Sequence, residues 1–183
     1  MIFIDMNSIS SLSLTEFIAI ATLLVGLISV VFVGIQLWQK YRMDHSKQVL
    51  DMLNKTRSER GIVELLYQLD YNKFHYDGYF HGSQVEQLVD NVLHYYEYIL
   101  YLREKNILNK KEFQFFEYDI QRIVCNHDMQ SYFFTLYHFV LNRLSFKYQR
   151  LLKYGRKNGW IDEDFYNKNS TKYTKGLIID KTK

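Results

Sequence analysis

Arg122 and His127 are the residues whose types and spacing come closest to a catalytic pair in this sequence. Four residues separate them in the run Arg122-Ile-Val-Cys-Asn-His127. Arginine binds phosphate groups through its planar guanidinium, and histidine gains or loses a proton near neutral pH. The alternative is structural: Arg122 would lie on the solvated outer face of its helix, and His127 would cap or flank the next one.

Other patterns that carry chemistry are weak or missing from the sequence. None of the six histidines forms an H-x-x-x-H or H-E-x-x-H pair, which would place two zinc ligands on one helical face. His75 and His81 share a segment with Asp77, but polar residues of this kind are common in surface loops. There is no G-K-[ST] phosphate loop and no G-x-S-x-G elbow. We therefore expect no metal and no cofactor.

The spacing of Arg122 and His127 resembles the active-site motif of the HEPN ribonucleases, an all-α family common in bacterial defence and toxin systems. The likeness covers six residues, with Ile123 where that family commonly has a polar residue. It implies that Arg122 and His127 would act together on RNA, from facing copies in a dimer. A membrane-tethered ribonuclease is thus the alternative to the non-enzymatic function that we favour.

The feature that would fix the location of the whole protein is an apolar segment near the N-terminus, residues 17–39, which has no charged side chain. As a helix it would be roughly 34 Å long, against about 30 Å for the hydrocarbon core of a bilayer. Ser13 and Glu16 have the spacing of a capping box and predict the helix start. We predict a transmembrane helix over residues 14–40, because neither a signal peptide nor a buried helix fits as well.

The flanks of the apolar segment predict its orientation. Residues 1–16 contain no Lys or Arg, whereas Trp38, Lys40, Tyr41 and Arg42 follow directly. Aromatic residues favour the membrane interface, and basic residues favour the cytoplasmic side. The sequence thus predicts a protein of the cell inner membrane with residues 1–13 outside and the C-terminal domain in the cytoplasm.

One side of the predicted transmembrane helix carries small or β-branched residues within an 80° arc at 100° per residue. They are Ala19, Thr22, Gly26, Ser29 and Val33. Small residues let helices approach closely in lipid. This stripe predicts a homo-oligomer, with a monomeric anchor as an equally weighted alternative.

Residues 41–166 are predicted to form a cytoplasmic bundle of about four helices, giving an all-α fold. The chain contains no proline, which helix interiors exclude, and no run alternates with period two as strands do. The one cysteine, Cys125, cannot form an internal disulfide, and its apolar neighbours predict burial. Residues 167–183 are lysine-rich and predict a basic, disordered tail, with docking on anionic lipids as the alternative.

Local signals predict the helix boundaries. Gly61 marks a break after a polar stretch, and residues 70–82 predict a loop. Ser83 with Glu86, and Asn109 with Glu112, have capping-box spacing. Asp128 is predicted to cap a last long helix that runs to about residue 154, where Gly155 and Gly159 end it.

The apolar residues that recur with helical period are predicted to face inward. They are Val85, Leu88, Val89, Val92, Tyr96, Ile99 and Leu100 in the helix after Ser83, Phe113, Phe116, Ile120, Ile123 and Val124 in the helix after Asn109, and Phe133, Leu136, Val140, Leu144 and Leu151 in the last helix. Trp160 and Ile161 are predicted to pack back onto the bundle.

The whole architecture is similar to small single-pass bacterial membrane proteins with a cytoplasmic helical domain of unknown function. Residues 89–99 and 106–112 are similar to the helix-turn-helix pattern of those proteins. The resemblance implies bacterial or phage origin, and some proteins of this design are membrane effectors in anti-phage defence. Expected partners are the lipid bilayer, further copies of the chain and an unknown protein. Nucleic acid is not expected, because the net charge is only +3.

Overall fold

The computed structural model describes residues 13–140 and 147–174, without the side chains of residues 139 and 140. The described residues form six α-helices and no strand, which confirms the all-α class for this part of the chain. The helices are α1 (Leu14–Ser58), α2 (Arg60–Asp70), α3 (Gln84–Glu104), α4 (Lys110–Cys125), α5 (His127–Thr135) and α6 (Gln149–Lys157). A π-helical turn (Leu136–Val140) follows α5, and a 3-10 turn (Glu163–Tyr166) follows α6.

Some predictions lie outside the described residues. These are the predicted extracytoplasmic N-terminus before Ser13, the inward position expected for Leu144, and the last part of the basic tail, residues 175–183. The chain divides into two compact units, residues 1–48 and 49–183. We call the second one the packed unit.

α1 starts where the sequence predicts. The Ser13 backbone N–H donates to the Glu16 carboxylate at 2.9 Å, and the Glu16 N–H donates back to the Ser13 hydroxyl at 3.4 Å. This reciprocal pair satisfies free N–H groups of the first turn. The helix then continues to Ser58 without interruption, in keeping with the absence of proline.

The helix break predicted near Gly61 is present, but it lies at Glu59. Glu59 takes an extended backbone conformation, with φ −73° and ψ 111°, between α1 and α2. Gly61 lies in the first turn of α2, where an added Cβ would come within 2.7 Å of Leu88 Cδ1 on α3. The glycine therefore serves close packing of α2 on α3.

The caps of α3 and α4 confirm the local predictions. The Glu86 N–H donates to Ser83 Oγ at 3.1 Å at the start of α3. Asn109 and Glu112 form a complete capping box at the start of α4. At α3 the Glu86 carboxylate accepts instead from the N–H of Gly82, one residue before the cap.

α3 and α4 pack against each other, and each also packs against α2 and α6. The predicted inward residues of α4 are all buried: Phe113, Phe116, Ile120, Ile123 and Val124. Those of α3 are also buried from Val89 onward, but Val85 is 43% exposed. Val85 lies in the first turn of α3, so the predicted apolar face begins one turn too early.

The prediction of one last long helix that runs to about residue 154 is wrong. α5 ends at Thr135, and α6 begins only at Gln149, after Tyr148 in a non-helical conformation (φ −108°, ψ 39°). The cap of α5 is Asn126, whose side chain accepts from the N–H groups of Asp128 and Met129, so Asp128 is not the cap. A carboxamide two positions earlier than predicted therefore satisfies the free N–H groups of the first turn.

Gly155 does not end α6, which runs to Lys157. An added Cβ there would lie 2.6 Å from Val124 Cγ1 and 3.0 Å from Ile161 Cδ1, so this glycine lets α6 approach α4. Gly159, with φ +71°, provides the left-handed turn after the helix. Ile161 is buried there, as expected for a segment that folds back onto the core.

The packed part of the chain extends beyond the predicted boundary at residue 166. The Tyr173 side chain is buried, stacks on Phe134 with ring centroids 5.5 Å apart, and donates to Asp162 at 2.6 Å. The Tyr173 ring buries apolar surface, and its hydroxyl group makes a hydrogen bond. The disorder predicted for residues 167–183 is therefore wrong for the segment around Tyr173.

Candidate functional site

α1 is the single helix among the described residues that is long and apolar enough to cross a membrane. Every side chain of the apolar segment is exposed, and its large apolar residues range from 47% exposed at Ile20 to 71% at Val30. Monomeric soluble proteins rarely expose a continuous apolar surface of this extent. Length, composition and exposure together make residues 17–39 a candidate membrane-spanning segment.

The predicted contact stripe of this segment has its polar groups satisfied within the helix. Thr22 Oγ1 donates to the Ile18 carbonyl and Ser29 Oγ to the Val25 carbonyl, both at 2.8 Å. A Cβ added at Gly26 would meet no atom within 4 Å. Together with Ala19 and Val33, these residues form a surface of small side chains. Its two hydroxyl groups are hydrogen-bonded to the backbone of the same helix.

The predicted membrane-interface residues lie together in one exposed turn. Arg42 is placed over the Trp38 ring, 5.0 Å from its centroid, in a cation–π contact. Tyr41 and Lys40 are exposed beside them. The turn therefore presents aromatic rings and two positive charges directly after the apolar segment.

In the packed unit, Arg122 of α4 is held by two carboxylates. Its Nε donates to Asp70 Oδ1 at 2.7 Å, and its Nη2 also bonds Asp70, at the end of α2. Nη1 donates to Asp119 at 3.1 Å, one turn earlier on α4. Nη2 further donates to the Leu66 carbonyl at 3.0 Å. These contacts use four of the five N–H donors of the guanidinium.

The pKa shifts of Arg122 and Tyr96 agree with these contacts. Burial opposes the charged guanidinium, but hydrogen bonds and charge from Asp70 and Asp119 outweigh it and raise the pKa of Arg122. Asp119 also accepts from the Tyr96 hydroxyl at 3.0 Å. Burial, with the Asp119 charge, raises the pKa of Tyr96 far above its ordinary value. Arg122 thus joins α2 to α4 over a buried tyrosine, rather than solvating an outer face.

His127 lies in a different setting. It is the first residue of α5, directly after the cap Asn126, and its side chain is exposed. The groove that contains the Arg122 side chain is lined by Asp70, Asp119 and residues of α1 and α2, and His127 does not line it. The joint action of Arg122 and His127 on RNA stays a prediction, and it would require Arg122 to exchange its carboxylates for phosphate.

Cys125 corrects the expectation of burial. It is the last residue of α4 and is exposed, while the neighbouring Ile123 and Val124 are fully buried. The apolar sequence around it reflects the inward face of α4, which Cys125 does not share.

The histidine-containing loop makes structural contacts. His81 lies between the Tyr76 hydroxyl, at 2.8 Å, and the Glu86 carboxylate, at 2.9 Å. His75 lies 3.5 Å from Asp128 instead. Within residues 13–140 and 147–174, no three His, Cys, Asp or Glu side chains are close enough to share a metal ion.

A second polar network was not anticipated from the sequence. Asp90 on α3 accepts hydrogen bonds from the buried Tyr132 and Tyr148 hydroxyls, at 2.8 and 2.7 Å. Burial, together with these bonds to the Asp90 carboxylate, raises the pKa of both tyrosines. Both phenols therefore stay protonated and tie α5 and the start of α6 to α3. An acid within an apolar helical face is the sequence signal that could have indicated such partners.

The chain matches no known protein-family model, and no curated protein or solved structure shows significant similarity to it.

Proposed function

We propose that this protein is a membrane-anchored helical effector. The apolar segment spans the inner membrane of a bacterial cell, and the packed unit lies in the cytoplasm. There the packed unit binds a protein partner and has no catalytic activity of its own. Such a protein would act by localising its partner or by perturbing the membrane, as suits a component of bacterial or phage defence.

The observation that carries this proposal is the contrast in how apolar side chains are used. The apolar segment exposes all of its side chains, whereas residues 49–138 and 147–174 bury a core of their own. Because transfer from water stabilises apolar surface by roughly 25 cal/mol per Å², a helix of exposed Ile, Leu, Val and Phe strongly favours a hydrocarbon environment. A lipid bilayer supplies it.

Binding of a protein partner is supported by aromatic side chains on the outside of α2 and α4. Phe115 is 61% exposed, and Tyr67 stacks on Tyr71, which is also exposed, with ring centroids 6.0 Å apart. Tyr118 carries the Arg122 guanidinium over its ring, at 5.3 Å. Aromatic residues and arginine are enriched at protein interfaces.

The orientation can be tested with Cys125, because it is the single cysteine and is exposed. In spheroplasts, a membrane-impermeant maleimide should leave Cys125 unmodified and should label it only after permeabilisation. In a Cys125→Ser background, Ser8→Cys should be labelled in intact spheroplasts. Labelling of Cys125 without permeabilisation would place the packed unit outside the cell and contradict the proposal.

Self-association along the stripe of Ala19, Thr22, Gly26, Ser29 and Val33 is part of the same proposal. Gly26→Ile would separate two close helices, whereas Leu27→Ile changes a neighbouring large residue off the stripe. Crosslinking in membranes should give an oligomer for the wild type and Leu27→Ile and lose it for Gly26→Ile. Equal crosslinking of both variants would show that the helix does not associate through this face.

A further inference from the structure

A concave groove in the packed unit carries more positive than negative side chains. It lies where the end of α3, the start of α4 and one face of α6 meet, and its volume is about 400 Å³. Ligand pockets for small molecules commonly measure about 300–1,000 Å³. Five basic side chains line it, against two carboxylates: Arg103, Lys110, Arg150, Lys153 and Lys157, against Glu104 and Glu117.

The groove is built by helical spacing. Arg150, Lys153 and Lys157 follow one face of α6, while the opposite face buries Leu151, Leu152 and Gly155 in the core. Residues three and four apart lie one above the other on a helix. The close approach of α6 at Gly155 therefore fixes a row of cations against α4.

The two carboxylates are already engaged. Glu104 accepts from Arg150 Nε at 2.9 Å and lies 3.7 Å from Lys153 Nζ. Glu117 accepts from the Tyr154 hydroxyl at 2.5 Å. No ion pair joins Lys110 or Lys157 to a carboxylate in the part of the chain that the structure describes, and both are exposed. An excess of positive charge therefore converges on this space.

We propose that this groove binds a small organic polyphosphate, such as a molecule with a di- or triphosphate group. Arg103 and the lysines supply charge-assisted donors for phosphate oxygens, which are stronger than neutral hydrogen bonds. The Tyr154 ring and the amides of Asn106 and Gln114 line the rest of the space, and the Tyr154 ring packs on the buried Phe113 with centroids 5.4 Å apart. They offer contacts for the organic part of the ligand.

The size and shape of the site favour a small ligand over a nucleic-acid strand. A strand needs a groove that continues along several nucleotides, usually with exposed rings on which bases stack. Here the cations surround one concave space, and the Phe113 ring is buried. The inference concerns residues of the packed unit alone, so it stands or falls independently of the membrane topology.

The test is calorimetric titration of the full chain, in nanodiscs of zwitterionic lipid, with ATP and with inorganic triphosphate. A Lys110→Gln/Lys157→Gln double variant should lose affinity by about tenfold or more, since two charge-assisted contacts disappear. Lys111→Gln is the matched control, because Lys111 is exposed on the same turn of α4 but does not line the groove. It should change affinity less than about twofold.

Three further results would overturn the inference. The first is no heat of binding with either probe. The second is an equal loss of affinity in Lys111→Gln and in the double variant. The third is a loss of binding that is explained by unfolding of the variant rather than by the loss of charge in the groove. Thermal unfolding of each variant identifies the last case. Vesicles containing phosphatidylglycerol and a single-stranded RNA are added as competitors. If either binds the groove while ATP and triphosphate do not, the ligand is not a small polyphosphate.

Discussion

The apolar segment and the packed unit are both helical and both rich in large apolar residues, yet they use them in opposite ways. Phe32 in the apolar segment is 59% exposed, whereas Phe116 in α4 is fully buried. α4 alternates apolar and polar residues with helical period, while residues 17–39 are apolar on all sides. The comparison teaches that periodicity, more than apolar content, separates a helix that packs into a protein core from one that exposes apolar side chains on every side.

The largest expected difference comes from truncating one phenylalanine in each region. Phe116→Ala should lower the free energy of unfolding of the packed unit by about 3–5 kcal/mol, because it leaves a cavity in the core. Phe32→Ala should leave that free energy unchanged. Urea titration of the detergent-solubilised protein, followed by Trp160 fluorescence in a Trp38→Phe background, measures both, since Trp160 packs beside Tyr154. Equal losses of unfolding free energy in the two variants would contradict the difference between the two regions.

An intermediate effect is expected at Arg122. Arg122→Ala should cost about 1–3 kcal/mol in the same titration, because it leaves Asp119 partly buried without its cation. Arg122→Lys should recover only part of this loss, since lysine cannot pair with Asp70 through two N–H groups. His127→Ala, at an exposed position, should change stability by less than about 0.5 kcal/mol.

The same His127→Ala variant separates the non-enzymatic proposal from the ribonuclease alternative. If overexpression is toxic because RNA is cleaved, His127→Ala should abolish the toxicity while the protein remains folded. Toxicity that persists in this variant would point to the membrane segment, as we propose.

The smallest effect is expected at Asp162, where the segment around Tyr173 joins the core. Hydrogen bonds from Lys172 and Tyr173 hold the pKa of Asp162 below its usual range near 4. A carboxylate with a lowered folded pKa stabilises the fold above its unfolded pKa, and this contribution is lost as the pH falls through the folded value. Asp162→Asn should thus be slightly less stable than the wild type at pH 7, by less than about 1 kcal/mol. The difference should shrink as the pH falls below the unfolded pKa near 4 and should vanish once the pH is below the folded value. A difference that stays constant over this fall would exclude the ionic origin.

The sequence predicts well where the interactions are local. The caps at Ser13, Ser83 and Asn109 involve residues three apart, and the inward face of α4 follows from its period. These features could be read without knowledge of the remaining fold.

The features that escaped prediction depend on partners far along the chain. Asp70 lies 52 residues from Arg122, and Asp90 lies 58 residues from Tyr148, so no local pattern reveals either pair. Gly155 has the sequence character of a helix end, but its role depends on the approach of Val124 and Ile161. The basic groove likewise appears only once α6 lies against α3 and α4.

The central claim, that the apolar segment anchors the protein in a membrane, is tested most directly by carbonate extraction of cell membranes. The wild type should stay in the membrane pellet, and so should Leu50→Lys, which adds a charge at an exposed position of α1 outside the segment. Val25→Lys/Ile28→Lys should leave the pellet, because each lysine near the centre of a span costs about 2.5–3.5 kcal/mol of insertion free energy. A wild-type protein found in the soluble fraction, or a double variant retained as fully as the wild type, would contradict the account.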